Sequence, residues 1–258
     1  KNLVKVEMES GAFGMSTGLF YKPGSYSDTK EVIELAKVVS SKNGIYDTHL
    51  RDESTFSVGL VKAVKEALSI GEQAQIPIHI SHIKCLGVEV WNQSDSIIGL
   101  IENAKKKGLN VTANQYPYEA SATSLQAAVI PRWAESGGKD SLFIRYGNPL
   151  LRERILIETQ KNIERRGGPD KLLLVRAEDS SLIGENLLQV SQNLKISPAA
   201  TVLEILKNNF IKVASFNMHK EDIKNFMKQK WVVTGSDGGS GHPRKYGSFP
   251  RKYRKYVV

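Results

Sequence analysis

Cysteine is almost absent from this sequence, because Cys85 is the only one among 258 residues. A single thiol excludes an intrachain disulfide, and the composition therefore predicts a protein of a reducing compartment, the cytoplasm. Long hydrophobic runs are also missing, and no stretch approaches the roughly 20 apolar residues that a membrane-spanning helix needs. The sequence thus predicts a cytoplasmic protein without a membrane partner.

The start of the chain lacks two further features. It does not begin with methionine, and residues 1–7 have neither the apolar core nor the small-residue cleavage site of a signal peptide. We therefore expect that this chain starts inside a longer protein.

Acidic residues are outnumbered, since 36 Lys and Arg face 27 Asp and Glu and give a net charge of +9. Part of the excess lies in residues 244–255, which contain basic side chains and no acidic ones. A solvated surface accounts for such a charge, and nucleic-acid binding is the rival interpretation. No recognisable nucleic-acid-binding motif accompanies the charge, so nucleic-acid binding ranks last among the interpretations.

The sharpest chemical signal spans residues 44–84. Two short apolar runs of β type each lead into a histidine, His49 and His82, and charged residues follow both. Between them, residues 56–75 place apolar side chains at helical spacing. Because the carboxyl ends of parallel strands meet at one face of a barrel, we expect the two imidazoles to reach one metal ion.

The surrounding sequence alternates between strand and helix patterns, which predicts a parallel sheet or barrel. This alternation stops in the middle of the chain, where glycine and proline breaks separate mostly helical segments. It resumes with strand patterns at 212–216 and 231–237. We therefore divide the chain into three parts: strand–helix units with both histidines at 1–126, a mostly helical excursion at 127–206, and the last barrel strands with the basic tail at 207–258.

The last of these strand patterns ends in an acid. Asp237 follows the apolar run Trp231-Val-Val-Thr and precedes a glycine. A carboxylate at the end of a buried strand can bind a metal or take a proton from water. An aspartate before glycine is also a common turn former, so the residues alone leave both interpretations open.

Five motifs follow one another along the chain and carry a resemblance. They are YDTHLRDE around His49, ISHIK around His82, NQYPY around Tyr116, GSDG around Asp237, and HPRKYGSFPR around Arg244. In this order and rough spacing they resemble the N-acyl-D-amino-acid deacylase (D-aminoacylase) family of the amidohydrolase superfamily. The resemblance covers nearly the whole chain.

The resemblance implies a metal-dependent (β/α)₈ barrel that hydrolyses the amide bond of N-acyl-D-amino acids, with one or two zinc ions. By their positions in the motifs, His49 and His82 match metal ligands. Asp237 matches the aspartate that binds the metal and orients or deprotonates the attacking water.

The resemblance also implies a pocket for a small-molecule substrate. Lys84, Tyr116 and Arg244 match residues of that pocket. A fork-shaped guanidinium suits the free carboxylate that every N-acyl amino acid carries.

The chain departs from the family's pattern in several places. It has no His-x-His pair, Cys85 does not fall at the family's cysteine position, and Asn114 stands where the family has an aspartate. The opening strands of the barrel and its C-terminal part have no counterpart here. We therefore expect an α/β fold, a partial (β/α)₈ barrel with a helical insertion, whose metal site has at most half of the family's ligands.

The same incompleteness supports an alternative function. A catalytically incomplete barrel leaves unpaired edge strands and an exposed inner surface, which favours a binding or self-associating module and hence a homo-oligomer.

The remaining polar residues near the histidines have structural interpretations. His79 lies between two isoleucines, and we expect it to contact a helix from the opposite face of its strand. Arg51 and Glu53 are expected to pair with each other, either behind His49 or as a plain surface pair.

Overall fold

The computed structural model describes residues 1–239 and 242–257. The chain divides into two compact units. The first unit comprises Lys1–Cys85, Val90–Tyr118 and His219–Val258, and the second comprises Leu86–Glu89 and Glu119–Met218. Among the described helices, none has both the length and the apolar character needed to cross a membrane.

The strands are numbered β1 to β8 in chain order. They are β1 Gly14–Gly18, β2 Ile45–His49, β3 Ile78–Ile80, β4 Val111–Gln115, β5 Ser121–Ser124, β6 Leu172–Arg176, β7 Lys212–Ser215 and β8 Val232–Thr234.

The α-helices are numbered in the same way. They are α1 Asn2–Glu9, α2 Thr29–Ser40, α3 Leu60–Ala74, α4 Ser94–Lys106, α5 Leu125–Val129, α6 Arg132–Glu135, α7 Lys139–Gly147, α8 Pro149–Arg165, α9 Leu187–Leu194, α10 Pro198–Leu206, α11 Lys220–Met227 and α12 Pro243–Lys252. Short turns of 3₁₀ or π helix cover Gly24–Tyr26, Val88–Val90, Pro169–Lys171, Ser180–Leu182 and Tyr253–Val257.

The first unit is built on a parallel sheet with the strand order β1-β2-β3-β4-β8. Tyr46, Ile78 and Val111 are neighbours in its register, and all three are buried. This apolar face packs with the helices of the unit in one hydrophobic cluster. The predicted parallel α/β sheet is therefore confirmed, and it is consistent with part of a (β/α)₈ barrel.

The helices on this sheet begin and pack as their sequences predict. The carboxylate of Asp28 caps α2 by accepting a hydrogen bond from the backbone N–H of Glu31 at 2.7 Å. In α3, Gly71 allows close packing on the sheet, because a Cβ atom there would lie only 2.8 Å from Cγ2 of Ile78. These contacts hold β2 and β3, which lead into the two histidines, against a rigid layer.

The second unit contains an antiparallel sheet with the order β5-β7-β6, together with helices α5 to α10. Its buried apolar side chains form a separate cluster that runs from Leu125 to Val213. Helices α8 and α10 start with a proline after a capping Asn148 or Ser197, which is a favourable helix beginning.

One strand, β7, lies in the second unit and not in the barrel sheet that the sequence pattern predicts for it. The segment at 212–216, expected to continue the barrel, forms β7 and pairs antiparallel with β5 and β6 in the second unit. Its burial alternates, with Val213 and Ser215 buried and Lys212 exposed. That alternation is typical of an antiparallel strand with one exposed face, whereas parallel barrel strands are buried on both faces.

Candidate metal centre

The predicted site residues follow the carboxyl ends of neighbouring strands in the parallel sheet. His49 is the last residue of β2, and His82 comes two residues after β3. Tyr116 directly follows β4, and Asp237 follows β8. Because these four strands are hydrogen-bonded neighbours, their chemistry-bearing residues lie along one edge of the sheet.

The two histidines contact each other directly. His49 Nδ1 lies 2.9 Å from His82 Nε2, and the ring centroids are 4.6 Å apart at an angle of 72°. His82 has a left-handed backbone with φ of 41°, and its N–H donates to Oδ1 of Asn114 at 2.8 Å. Asn114 therefore helps to set the backbone of His82.

Glu53 completes a group of three side chains that could hold a metal ion. Its Oε1 lies 3.0 Å from His82 Nδ1, and its Oε2 lies 3.9 Å from His49 Nε2. Within the described residues, His49, Glu53 and His82 are the group whose ligand atoms all lie within 4.8 Å of one another. Two imidazoles and a carboxylate form a donor set that suits zinc.

The expected pairing of Arg51 with Glu53 is wrong. Arg51 Nε donates to Glu66 Oε2 at 2.8 Å, and Arg51 Nη2 donates to the carbonyl of Ser27 at 2.8 Å. Glu53 instead is buried beside Lys84, whose Nζ donates to Glu53 Oε1 at 2.5 Å. The sequence signal that could have found Glu53 is its position four residues after His49, within the same motif.

Burial and neighbouring charges shift the pKa values of His49 and Glu53. Burial, followed by the charges of His82 and Lys84, lowers the pKa of His49 to about 4, although Glu53 opposes this shift. Burial acts to raise the pKa of Glu53, but the charges of Lys84 and the two histidines hold it well below its usual value. Near neutral pH the centre therefore offers a neutral imidazole and an ionised carboxylate, which are the protonation states that bind metals.

Arg244, in the first turn of α12, lies close to Tyr116. Its guanidinium carbon is 4.0 Å from the ring centroid of Tyr116, and the side chain is buried. Arg244 Nη2 donates to the carbonyl of Asp237 at 2.7 Å and to Oδ2 of Asp237 at 2.9 Å. The other two guanidinium nitrogens, Nε and Nη1, are buried without a hydrogen-bond partner in the described part of the chain. Buried N–H donors of this kind match the oxygens of an anion.

Asp237 lies outside the three-residue metal group, and its carboxylate contacts Arg244 instead. It has a left-handed backbone with φ of 45°, and its charge influences the pKa of His49. Asp237 is thus held in the same electrostatic environment as the histidines.

His79, the histidine within β3, is separate from this group. His79 Nδ1 lies 2.8 Å from Oγ1 of Thr112, and its Nε2 lies 2.8 Å from Nδ2 of Asn114. Both ring nitrogens of His79 therefore hydrogen-bond to the neighbouring strand β4, and the helix contact that the sequence predicts is not among its hydrogen bonds in the described part of the chain.

Comparison with known proteins finds deacylases that are similar to this chain in sequence and in fold. The D-aminoacylase of Alcaligenes xylosoxydans xylosoxydans is 30% identical over 261 residues, which cover 100% of this chain and 45% of that protein. A solved structure of D-aminoacylase, described as defining a novel subset of amidohydrolases, aligns with a TM-score of 0.72 and 26% identity over 97% of this chain and 46% of its own.

A third comparison supports the fold. The N-acyl-D-glutamate deacylase of Bordetella bronchiseptica, solved with zinc and a phosphonate mimic of the tetrahedral intermediate, aligns with a TM-score of 0.76 and 24% identity over 98% of this chain and 46% of its own. No protein-family model matches the chain. The similarity to D-aminoacylases that the motifs indicate is confirmed along this chain, which spans a little under half the length of these relatives.

Proposed function

We propose that this chain carries the metal and substrate sites of a zinc-dependent hydrolase that cleaves the amide bond of N-acyl-D-amino acids. The proposal is carried by one observation: two sites of different kinds lie at the same edge of the parallel sheet. One is the metal-ligand group of His49, Glu53 and His82, and the other is the buried guanidinium of Arg244 with two unpartnered nitrogens.

His49 and His82 would hold the zinc ion, with Glu53 within reach as a third ligand. Imidazole and carboxylate ligands leave a fourth position open in catalytic zinc sites. When bound, zinc supplies a Lewis acid that polarises an amide carbonyl and makes a water molecule more acidic. The aromatic rings of Phe20 and Tyr21, with centroids 5.8 and 5.0 Å from that of His49, help to exclude bulk water from this imidazole.

Arg244 would bind the free carboxylate of the substrate through Nε and Nη1. A bidentate guanidinium–carboxylate pair fixes both the position and the orientation of the bound group. Tyr116 and Lys84 line the same place, since the ring of Tyr116 lies 4.0 Å from the Arg244 guanidinium carbon and 5.7 Å from Lys84 Nζ. The phenol stays protonated, because burial raises the pKa of Tyr116.

Asp237 would take the proton from the attacking water. Its Oδ2 is held by Arg244, so the proton acceptor and the carboxylate-binding group are fixed relative to each other. Removal of one proton by a positioned carboxylate is ordinary general base catalysis.

The substrate in this proposal is a small molecule and the place of reaction is the cytoplasm, which the single buried thiol of Cys85 supports. The alternative of a binding or self-associating module is not favoured by the comparisons, whose matches are deacylases.

The direct test is an assay of amine release from N-acetyl-D-leucine, with the L enantiomer as the control substrate. We expect turnover by the zinc-loaded protein, loss of turnover after chelation, and recovery when zinc is returned. A folded, zinc-loaded protein that hydrolyses neither enantiomer would contradict the proposal.

A further inference from the structure

The side chain of Lys84 lies where a metal ion would compete with it. Its Nζ is 2.5 Å from Oε1 of Glu53 and 2.7 Å from Nδ1 of His82. These two acceptor atoms are themselves only 3.0 Å apart. The ammonium group therefore bridges a carboxylate oxygen and an imidazole nitrogen that both belong to the metal-ligand group.

The ammonium group of Lys84 is the donor in both of these contacts. A lysine ammonium has donors only, so Nδ1 of His82 accepts its hydrogen bond through a lone pair. The other ring nitrogen of His82, Nε2, lies 2.9 Å from Nδ1 of His49. The ammonium group thus bridges the two atoms that a metal ion would use, Glu53 Oε1 and His82 Nδ1.

We propose that Lys84 is an internal competitor of the metal ion, and that Glu53 is the ligand for which the two compete. A zinc ion lies about 2.1 Å from its nitrogen and oxygen ligands. An ion bound to Glu53 Oε1 and His82 Nδ1 would therefore take the position of the ammonium, and two cations cannot share these atoms. The inference rests on the proposed function, because it assumes the same metal site.

Displacement of Lys84 has a consequence for the substrate. Once Glu53 binds the metal, the displaced ammonium group has lost its carboxylate partner, and the Tyr116 ring, which the guanidinium of Arg244 also contacts, is its nearest neighbour on the substrate side. Two cations beside the Tyr116 ring favour the binding of an anion between them. Metal loading would thereby release Lys84 for the substrate carboxylate, and the two binding events become coupled.

The test compares the zinc affinity of the wild-type protein with that of three variants, by equilibrium dialysis. Lys84→Met keeps the length of the side chain and removes the competitor, so we expect zinc to bind about tenfold more tightly. Glu53→Gln removes the shared ligand, so we expect zinc to bind at least about tenfold more weakly. Lys65→Met, which removes an exposed charge from α3 of the same unit, should bind zinc like the wild type.

Lys84→Met and Glu53→Gln should change the zinc affinity in opposite directions, and this distinguishes competition with the metal from a purely structural ion pair. If Lys84 and Glu53 served only folding, both variants would weaken zinc binding. Equal or weaker zinc binding by Lys84→Met would overturn the inference and leave the proposed function standing. Failure of every protein to bind zinc would contradict both.

Thermal unfolding provides a second measurement if Lys84→Met is unstable without zinc. Zinc would then supply the missing cation for the buried carboxylate of Glu53. We expect added zinc to raise the Tm of Lys84→Met by more than it raises the Tm of the wild type, and a smaller rise would overturn the inference.

Discussion

The two units of this protein bury charge in different ways. In the second unit, Arg166 is the one charged side chain that is buried among the described residues, and its Nε donates to the carbonyl of Ala128 at 2.8 Å. In the first unit, buried charges are more numerous and occur with both signs: Asp52, Glu53, Lys84, Asp222 and Arg244. Burying a charge is costly, so each of these side chains needs a partner or a function.

The buried charges of the first unit fall into two groups by the nature of their partners. Asp52 accepts hydrogen bonds from the backbone N–H groups of residues 54, 57 and 59, and Asp222 accepts from those of Asn92 and Ser94. Glu53 and Lys84 instead contact each other and the metal-site histidines, and Arg244 contacts the side chains of Asp237 and Tyr116. The comparison shows that backbone-satisfied charges hold loops in place, whereas charges that face other side chains mark the site.

The largest expected effect tests the first group. Asp222→Ala leaves two backbone N–H groups without their charged acceptor, and we expect a loss of about 3 kcal/mol in the free energy of unfolding. Unfolding of the first unit can be followed by alkylation of Cys85, because burial raises the pKa of this thiol and keeps it unreactive in the folded protein.

The zinc content of the folded Asp222→Ala protein should remain that of the wild type. Loss of zinc from this folded variant would show that Asp222 also supports the metal site, and the division into two groups of buried charges would be wrong.

A smaller effect tests the second group. Arg244→Met removes the proposed partner of the substrate carboxylate, and we expect KM to rise about 30-fold, equivalent to about 2 kcal/mol of binding. Arg251 is a matched control, because it lies on the same helix and stacks on Tyr118, with its guanidinium carbon 4.7 Å from the ring centroid. Arg251→Met should leave KM unchanged, and equal effects of the two substitutions would show that charge alone is responsible.

Much of the first unit could be predicted from the sequence, because its signals are local. Apolar runs that end in His49 and His82, separated by a helical pattern, define two strands and the side of the sheet on which they end. The parallel pairing of these strands then brings the imidazoles together. Strand period and chain direction suffice for this prediction.

The errors concern partners that are distant in sequence or set by side-chain direction. The sequence pattern places Lys212–Ser215 in the barrel, because the pairing of this strand with β5 and β6, across about 90 and 40 residues, has no local signature. Proximity in sequence predicts an ion pair between Arg51 and Glu53. In the structure, Arg51 pairs with Glu66 and Glu53 pairs with Lys84. Rotamers after the end of a strand do not follow its alternation.

The metal content of two histidine variants tests the central claim most directly. His79 and His82 are three residues apart, but only His82 belongs to the metal-ligand group, while His79 contacts Thr112 and Asn114. We predict about one zinc ion per chain in the wild type and in His79→Ala, and none in His82→Ala. Zinc retained by His82→Ala, or lost equally from both variants, would contradict the account.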